Sequence, residues 1–294
     1  MTPADWWWIP ITVWAAFAQT VRNAAQRSLT AELGTWGATL VRFLYGLPFA
    51  LLWFLLVKAE STPPATPAFI GWVFLGAISQ IVATGLLLRT MQERNFALCV
   101  AYSKSEVLQV ALFAFVFLGD PLTVPLAIAV ALGTAGVLLL SEGPSIGWAT
   151  RPAVLGLASG AAFALAAVGY RGATLALPGS SFLLVGAFTL LVAQAMQTLL
   201  LGSWLAVSNF RTITKAVQQW RPSLLAGFMG AAASAGWFTA FALESAAHVR
   251  TLGLVELVFS YAVSLKLFRE RLSRRELAGM ALIAAGVAAI TLIR

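Results

Sequence analysis

The residues in this chain best equipped for chemistry lie in Ala101-Tyr102-Ser103-Lys104-Ser105-Glu106-Val107-Leu108-Gln109, inside an otherwise apolar run from about 96 to 118. About 20 apolar residues cross the hydrocarbon core of a bilayer, so this run predicts a membrane-spanning helix with a lysine and a glutamate deep inside it. An ionisable group there costs roughly 2.5–3.5 kcal/mol on insertion scales, and such groups face a cavity, a partner or a pathway. At about 100° per residue, Tyr102, Ser105, Glu106 and Gln109 share one helix face, while Lys104 is turned about 160° from Glu106. Along a regular helix the two are not expected to pair; each needs water or a partner from another segment.

Other polar residues interrupt apolar runs. Gln19, Arg22, Asn23 and Gln26 follow i, i+3, i+4, i+7 spacing and form one stripe. Gln19 and Asn23 suit a pathway wall; Arg22 and Gln26 fit that role or a helix end snorkelling into headgroups. Arg42 can hold a substrate carboxylate bidentately or pair with an acid such as Glu106. Gln80, Gln194 and Gln197 suit interhelical hydrogen bonds, with Gln80 the best candidate for substrate contact. Trp237 and Phe238 lie mid-segment, where they line a cavity or fill a core. Gly253, Glu256, Ser260 and Ser264 share a face that combines small residues for close packing with one acid. Gly156-x-x-x-Gly160 reads as a helix contact, and Asp120 and Glu270 as structural acids at interfacial turns.

These residues must be held by membrane helices. The chain of 294 residues is 60% hydrophobic and 10% charged, against about 25% charged in soluble domains. Its net charge of +8 comes without a basic patch interleaved with aromatics, so no nucleic-acid partner is expected. One cysteine, Cys99, and one histidine, His248, leave no intrachain disulfide and no Cys- or His-rich metal site. The N-terminal Met-Thr-Pro-Ala-Asp-Trp-Trp-Trp lacks a positive n-region, so no cleaved signal peptide is expected. Gly-rich phosphate loops and Ser/His/Asp sets are not apparent, so neither an enzyme nor a cofactor is expected. Apolar segments fall near 6–28, 34–57, 67–90, 96–118, 124–141, 152–170, 181–204, 222–243, 246–268 and 276–293. Tryptophans such as Trp6, Trp7, Trp53, Trp72, Trp204 and Trp220 cluster at their ends, as an interfacial belt requires.

The chain also repeats itself. A shift of 150 residues places Glu106 on Glu256, Asp120 on Glu270, Leu122 on Leu272 and Ala135-Gly136-Val137 on Ala285-Gly286-Val287. Five segments per half is an odd number, which inverts the second half across the membrane, with a binding site expected near the midplane.

The segments, the duplicated halves and the ending Leu-Gly-Asp-Pro-Leu-Thr resemble the EamA-type transporters of the drug/metabolite transporter superfamily. So does the second copy, Arg-Glu-Arg-Leu-Ser, followed by Gly279 and Ile283-x-x-Gly286-Val287. The family often has proline after the mid-helix acid, where this chain has Val107 and Leu257. The resemblance implies an all-α integral membrane fold of ten transmembrane helices in two inverted five-helix repeats. Their bounds are 1–141 and 152–294, with a linker at 142–151.

The expected function is secondary transport of a small polar metabolite by alternating access, in the direction of export, as a monomer or homodimer with a coupling proton. Arg42 and Lys104 against Glu106 and Glu256 give a near-neutral set of intramembrane charges, which suits an amino acid or related zwitterion. Gln19, Asn23, Gln80, Tyr102, Gln109, Trp237 and Ser260 complete the candidate substrate contacts. The rivals are an exporter of lipophilic cations and a membrane scaffold or enzyme. Thirteen Lys and Arg fall at one set of segment ends, against Lys58, Arg171, Arg250 and Arg294 at the other. The positive-inside rule then predicts both termini outside a plasma or bacterial inner membrane.

Overall fold

The computed structural model describes residues 6–58, 62–106, 151–177 and 181–292, with isolated positions between 109 and 139. Among the described residues all regular structure is helical. In chain order the helices are α1 (Trp8–Leu44), α2 (Leu47–Val57), α3 (Pro67–Met91), α4 (Phe96–Ser103), α5 (Arg151–Leu175) and α6 (Phe182–Ser208). They continue with α7 (Phe210–Gln218), α8 (Trp220–Leu243), α9 (Ala246–Leu252), α10 (Glu256–Lys266) and α11 (Arg274–Leu292). Most of 107–141, including Asp120, and residues 142–150 of the expected linker lie outside the described residues.

Among the described residues five stretches are long and apolar enough to cross a membrane: Trp8–Val57, Pro67–Met91, Arg151–Leu175, Phe182–Ser208 and Trp220–Leu243. The first is 50 residues long, about 75 Å if straight, well beyond the roughly 30 Å of a hydrocarbon core. It reverses instead at Gly34, whose φ of 67° and ψ of 176° favour a residue without Cβ. The reversal lets Gln26 Nε2 donate to the Ala38 carbonyl at 2.7 Å.

Helix starts follow local chemistry. Thr66 caps α3 by accepting from the Phe69 N–H, with Pro67 at the first helical position. Ser181 caps α6 in the same way through Leu184. Ser273 and Glu276 exchange side-chain and backbone bonds as a capping box at α11.

Three features depart from the sequence reading. The apolar run from 96 does not continue as one helix, since α4 ends at Ser103 and Lys104–Ser105 form a turn before Glu106. The 246–268 run is likewise interrupted by a tight turn at Gly253–Val255. Residues 210–218, read as loop, form a short helix with Ala216 buried and Phe210 and Val217 exposed.

Two helix pairs dominate the packing, α1 against α8 and α3 against α5. Small residues allow both. A Cβ at Gly236 would sit 2.8 Å from Ala15 Cβ, and one at Gly169 would sit 2.8 Å from the Gly76 nitrogen. Close approach through small residues is how membrane helices gain contact without a hydrophobic driving force.

Candidate functional site: a buried charge network

The network starts at the turn after α4. Ser103 Oγ donates to the Val100 carbonyl, and the Lys104 N–H is shared between Val100 and Ala101. This tightened end changes the direction of Lys104. Its Nζ lies 3.3 Å from Glu106 Oε1 and 2.5 Å from Glu256 Oε2. Lys104 and Glu106 therefore do pair, contrary to the helical-wheel expectation, because the helix that would have kept them apart ends between Ser103 and Glu106.

The α5 glycines seat the turn. A Cβ at Gly160 would fall 2.6 Å from Ser105 Oγ, 2.9 Å from the Ser103 carbonyl and 3.1 Å from the Glu106 nitrogen. Gly156 lies against the Tyr102 side chain in the same way. The pair is a helix contact, as its spacing suggested, and what it contacts is the turn that carries the charges.

Glu256 opens α10 directly after the Gly253–Val255 turn. It accepts from Gln19 Nε2 at 2.7 Å and Asn23 Nδ2 at 3.1 Å, both on α1. Gln19 in turn accepts from the Trp237 indole N–H at 2.9 Å. Arg22 donates to Asn23 Oδ1 through Nη2 at 2.7 Å. Arg250, from α9, lies 3.4 Å from Glu106 Oε1 and stacks its guanidinium 4.5 Å from the Trp237 ring. None of these side chains is more than 6% exposed. Each ion in this set has an opposite charge or a hydrogen-bond partner against it, which burial at this depth requires.

Arg42 does not meet Glu106, whose carboxylate faces Lys104 and Arg250. It donates to Thr84 Oγ1 at 2.9 Å and lies over the Phe43 ring. One turn earlier on α3, Gln80 Oε1 accepts from Tyr170 OH at 2.9 Å and Gln197 Nε2 at 2.6 Å, and Gln197 also donates to the Tyr170 oxygen. Tyr102 is buried between α4 and α5, Gln109 donates to Ser105 Oγ, and the buried Ser260 hydroxyl has no hydrogen-bond partner among the described residues.

Residues 6–142 match the model of the EamA-like transporter family. That family lies within the drug/metabolite transporter superfamily, and the match covers the first of the two expected repeats. With the long apolar helices, the match supports an integral multi-pass membrane protein. A solved crystal structure is similar over 96% of this chain and 96% of its own, at 18% identity and a TM-score of 0.61, which concerns the fold alone. No curated protein matches the chain.

Sequence reasoning about this EamA-like chain missed two buried cations. The sequence reading places Arg250 at a segment end and leaves Arg22 between pathway and headgroup, yet they are 4% and 1% exposed. The signal existed for Arg250, which lies inside the 246–268 run much as Lys104 lies inside 96–118. Among the described residues the set of buried charges is thus six and not four.

At one end of the bundle a third acid is also satisfied. Glu270 takes Arg27 Nη2 at 2.7 Å, the Phe96 N–H at 2.9 Å and the Ser264 hydroxyl. Burial pushes this carboxyl up, but the donors and the Arg27 charge outweigh it and hold it below the usual glutamate range. Arg27 also lies 4.1 Å over the Phe268 ring. Glu270 therefore joins α1, α4 and the end of α10 structurally, as its turn position suggested.

Proposed function

We propose that this EamA-like chain is a secondary transporter that exports a small polar metabolite by alternating access. Its ten helices form two inverted repeats, 1–141 and 152–294, joined by 142–151, and it acts as a monomer or homodimer in a plasma or bacterial inner membrane. The observation that carries this is the meeting of Glu106 and Glu256, equivalent under the 150-residue shift, on one ammonium, Lys104. Two further features support the repeat. Phe96 and Ala246, the first residues of α4 and α9, obey the same shift, and both helices break just before the acid. The α1–α8 and α3–α5 pairs are also exchanged by it. Discontinuous helices at the interface of two repeats are how many carriers build a midplane site.

Gln19, Asn23, Arg42, Gln80, Tyr102, Lys104, Glu106, Gln109, Trp237, Glu256 and Ser260 remain the proposed substrate-contact set, extended by Arg22 and Arg250. A proton on either acid removes one of the two partners of Lys104 and frees the elements it holds, which is the switch a proton-coupled carrier requires. Counterflow in proteoliposomes across a pH series tests this. Glu106→Gln is expected to retain binding and lose pH dependence; unchanged pH dependence in the Glu106→Gln, Glu256→Gln double variant would refute coupling.

Orientation follows from the basic residues outside the core. Arg22 and Arg250 drop out of the count once buried, and the bias keeps its sign. Both termini are then outside. A reporter fused after Arg294 that is active only in the cytoplasm would overturn this.

An aromatic-rimmed apolar cavity of about 400 Å³, lined by Trp14, Phe49, Trp53, Leu56 and Phe228 among others, favours a lipophilic substrate. Leu52 and Leu56 on its wall are 54% and 71% exposed, so it opens outward, away from the buried charges. Four buried cations oppose a lipophilic cation in particular.

A further inference from the structure

The buried charges divide into two groups. Lys104 and Arg250 are matched by Glu106 and Glu256 through direct contacts. Arg22 and Arg42 have no carboxylate within 4 Å among the described residues, and each is 1% exposed. Arg22 leans on a neutral amide oxygen, Asn23 Oδ1, and Arg42 on a neutral hydroxyl, Thr84 Oγ1. Glu256 reaches Arg22 only through Asn23, which bonds both, whereas Arg42 has no such bridge to an acid among the described residues. A guanidinium does not shed its charge in a protein, so burial cannot be relieved by deprotonation.

The two arginines also converge. A Cβ at Gly230 of α8 would lie 2.9 Å from Arg42 Cγ and 3.4 Å from Arg22 Cδ. Both stems therefore border the same glycine, one from each arm of the α1 hairpin. Like charges held together in a dry interior repel, and an anion between them relieves that cost.

We infer that Arg22 and Arg42 form the anion-recognition end of the transport site, and that the substrate is a small organic acid with carboxylates in excess of ammonium groups. This rests on the transport reading above and replaces the zwitterion that four balanced charges suggested. Guanidiniums pair with carboxylates through parallel N–H···O bonds, which two arginines from different arms can share. The carbon skeleton has suitable neighbours. Arg42 bonds Thr84, one helical turn from Gln80, and the Gln80–Tyr170–Gln197 triad adds hydrogen-bonding groups beside the Tyr170–Phe238 ring pair, 4.3 Å apart.

The test is counterflow by the purified full chain in proteoliposomes, with succinate, lactate, leucine and inorganic phosphate as probes. Thermal unfolding of the same protein in detergent is followed through its single buried thiol, Cys99. Succinate or lactate is expected to be transported and to raise the unfolding temperature, with leucine and phosphate inert. Arg42→Gln is expected to weaken the organic acid roughly tenfold or more, since charge-assisted bonds are lost. Arg42→Lys should recover part of that loss. Gly230→Ala, which keeps both charges and crowds the space between them, should weaken the same probe. Transport of leucine with no response to either organic acid would overturn the inference and leave the transport reading intact, as would unchanged organic-acid affinity in folded Arg42→Gln. Phosphate in place of the carboxylates would also overturn it. No counterflow of any probe would count against both.

Discussion

Glu256 and Glu270 flank one helix, α10, and each gathers a cation and several hydrogen-bond donors, yet they use them differently. Glu270 has Arg27 to itself, lies at a bundle end with 15% of its side chain exposed, and bonds the first N–H of α4. Glu256 is fully buried and shares its cation with Glu106. An unshared pair holds elements together. A shared cation makes the fit of each acid depend on the state of the other, which is what a switch needs and a staple does not. Depth sets the energetics too, because removing one partner of a fully buried pair strands an ion that water cannot reach.

The sharpest way to break this comparison is Glu256→Ala. It strands Lys104 on Glu106 alone and orphans Gln19 and Asn23, and is expected to destabilise by about 3–5 kcal/mol. Adding Lys104→Met should recover a large part. Thermal unfolding read by Cys99 labelling checks both, and a single variant as stable as the parent would end the claim that the pair is tightly coupled. Next in size is Gly160→Ala, which drives a methyl into Ser105 Oγ and the Ser103 and Glu106 backbone and should cost roughly 1–3 kcal/mol. Because the turn must shift, it should also alter transport, whereas a cost without a transport change would mean that the turn's geometry does not matter.

Arg27→Ala tests the other region. Its ion pair is only partly buried, so the expected loss is about 1 kcal/mol, between exposed and buried pairs. A loss matching that of Glu256→Ala would erase the distinction between the two acids. The smallest effect is one of pH. The folded carboxyl of Glu270 is depressed, so its contribution is present above the unfolded glutamate value and is lost as pH falls through the depressed folded one. Parent and Glu270→Gln unfolding temperatures, distinct near neutrality, are expected to converge in acid; a constant gap would remove Glu270 as the titrating group.

Much of this molecule was legible without coordinates. Segments of about 20 apolar residues must be helices in a bilayer, because backbone N–H and C=O groups find no other partners there. The i, i+3, i+4 spacing of Gln19 and Asn23 put both on one face, and that face meets Glu256. The shift that matches Glu106 with Glu256 is a property of the sequence itself. Charge balance was not legible. Whether Lys104 reaches Glu106 depended on a helix ending at Ser103, which Gly160 of a different helix permits. Whether Arg22 and Arg250 counted as buried depended on what packs against them, Gly230 of α8 for the one and the Trp237 ring for the other. Arg42 lost its expected partner because two other cations reached it first. Periodicity reports which residues share a face, and that is local. Which charges cancel is a sum over groups as far apart in sequence as Gln19 and Glu256, 237 residues, and only the tertiary structure brings that sum together.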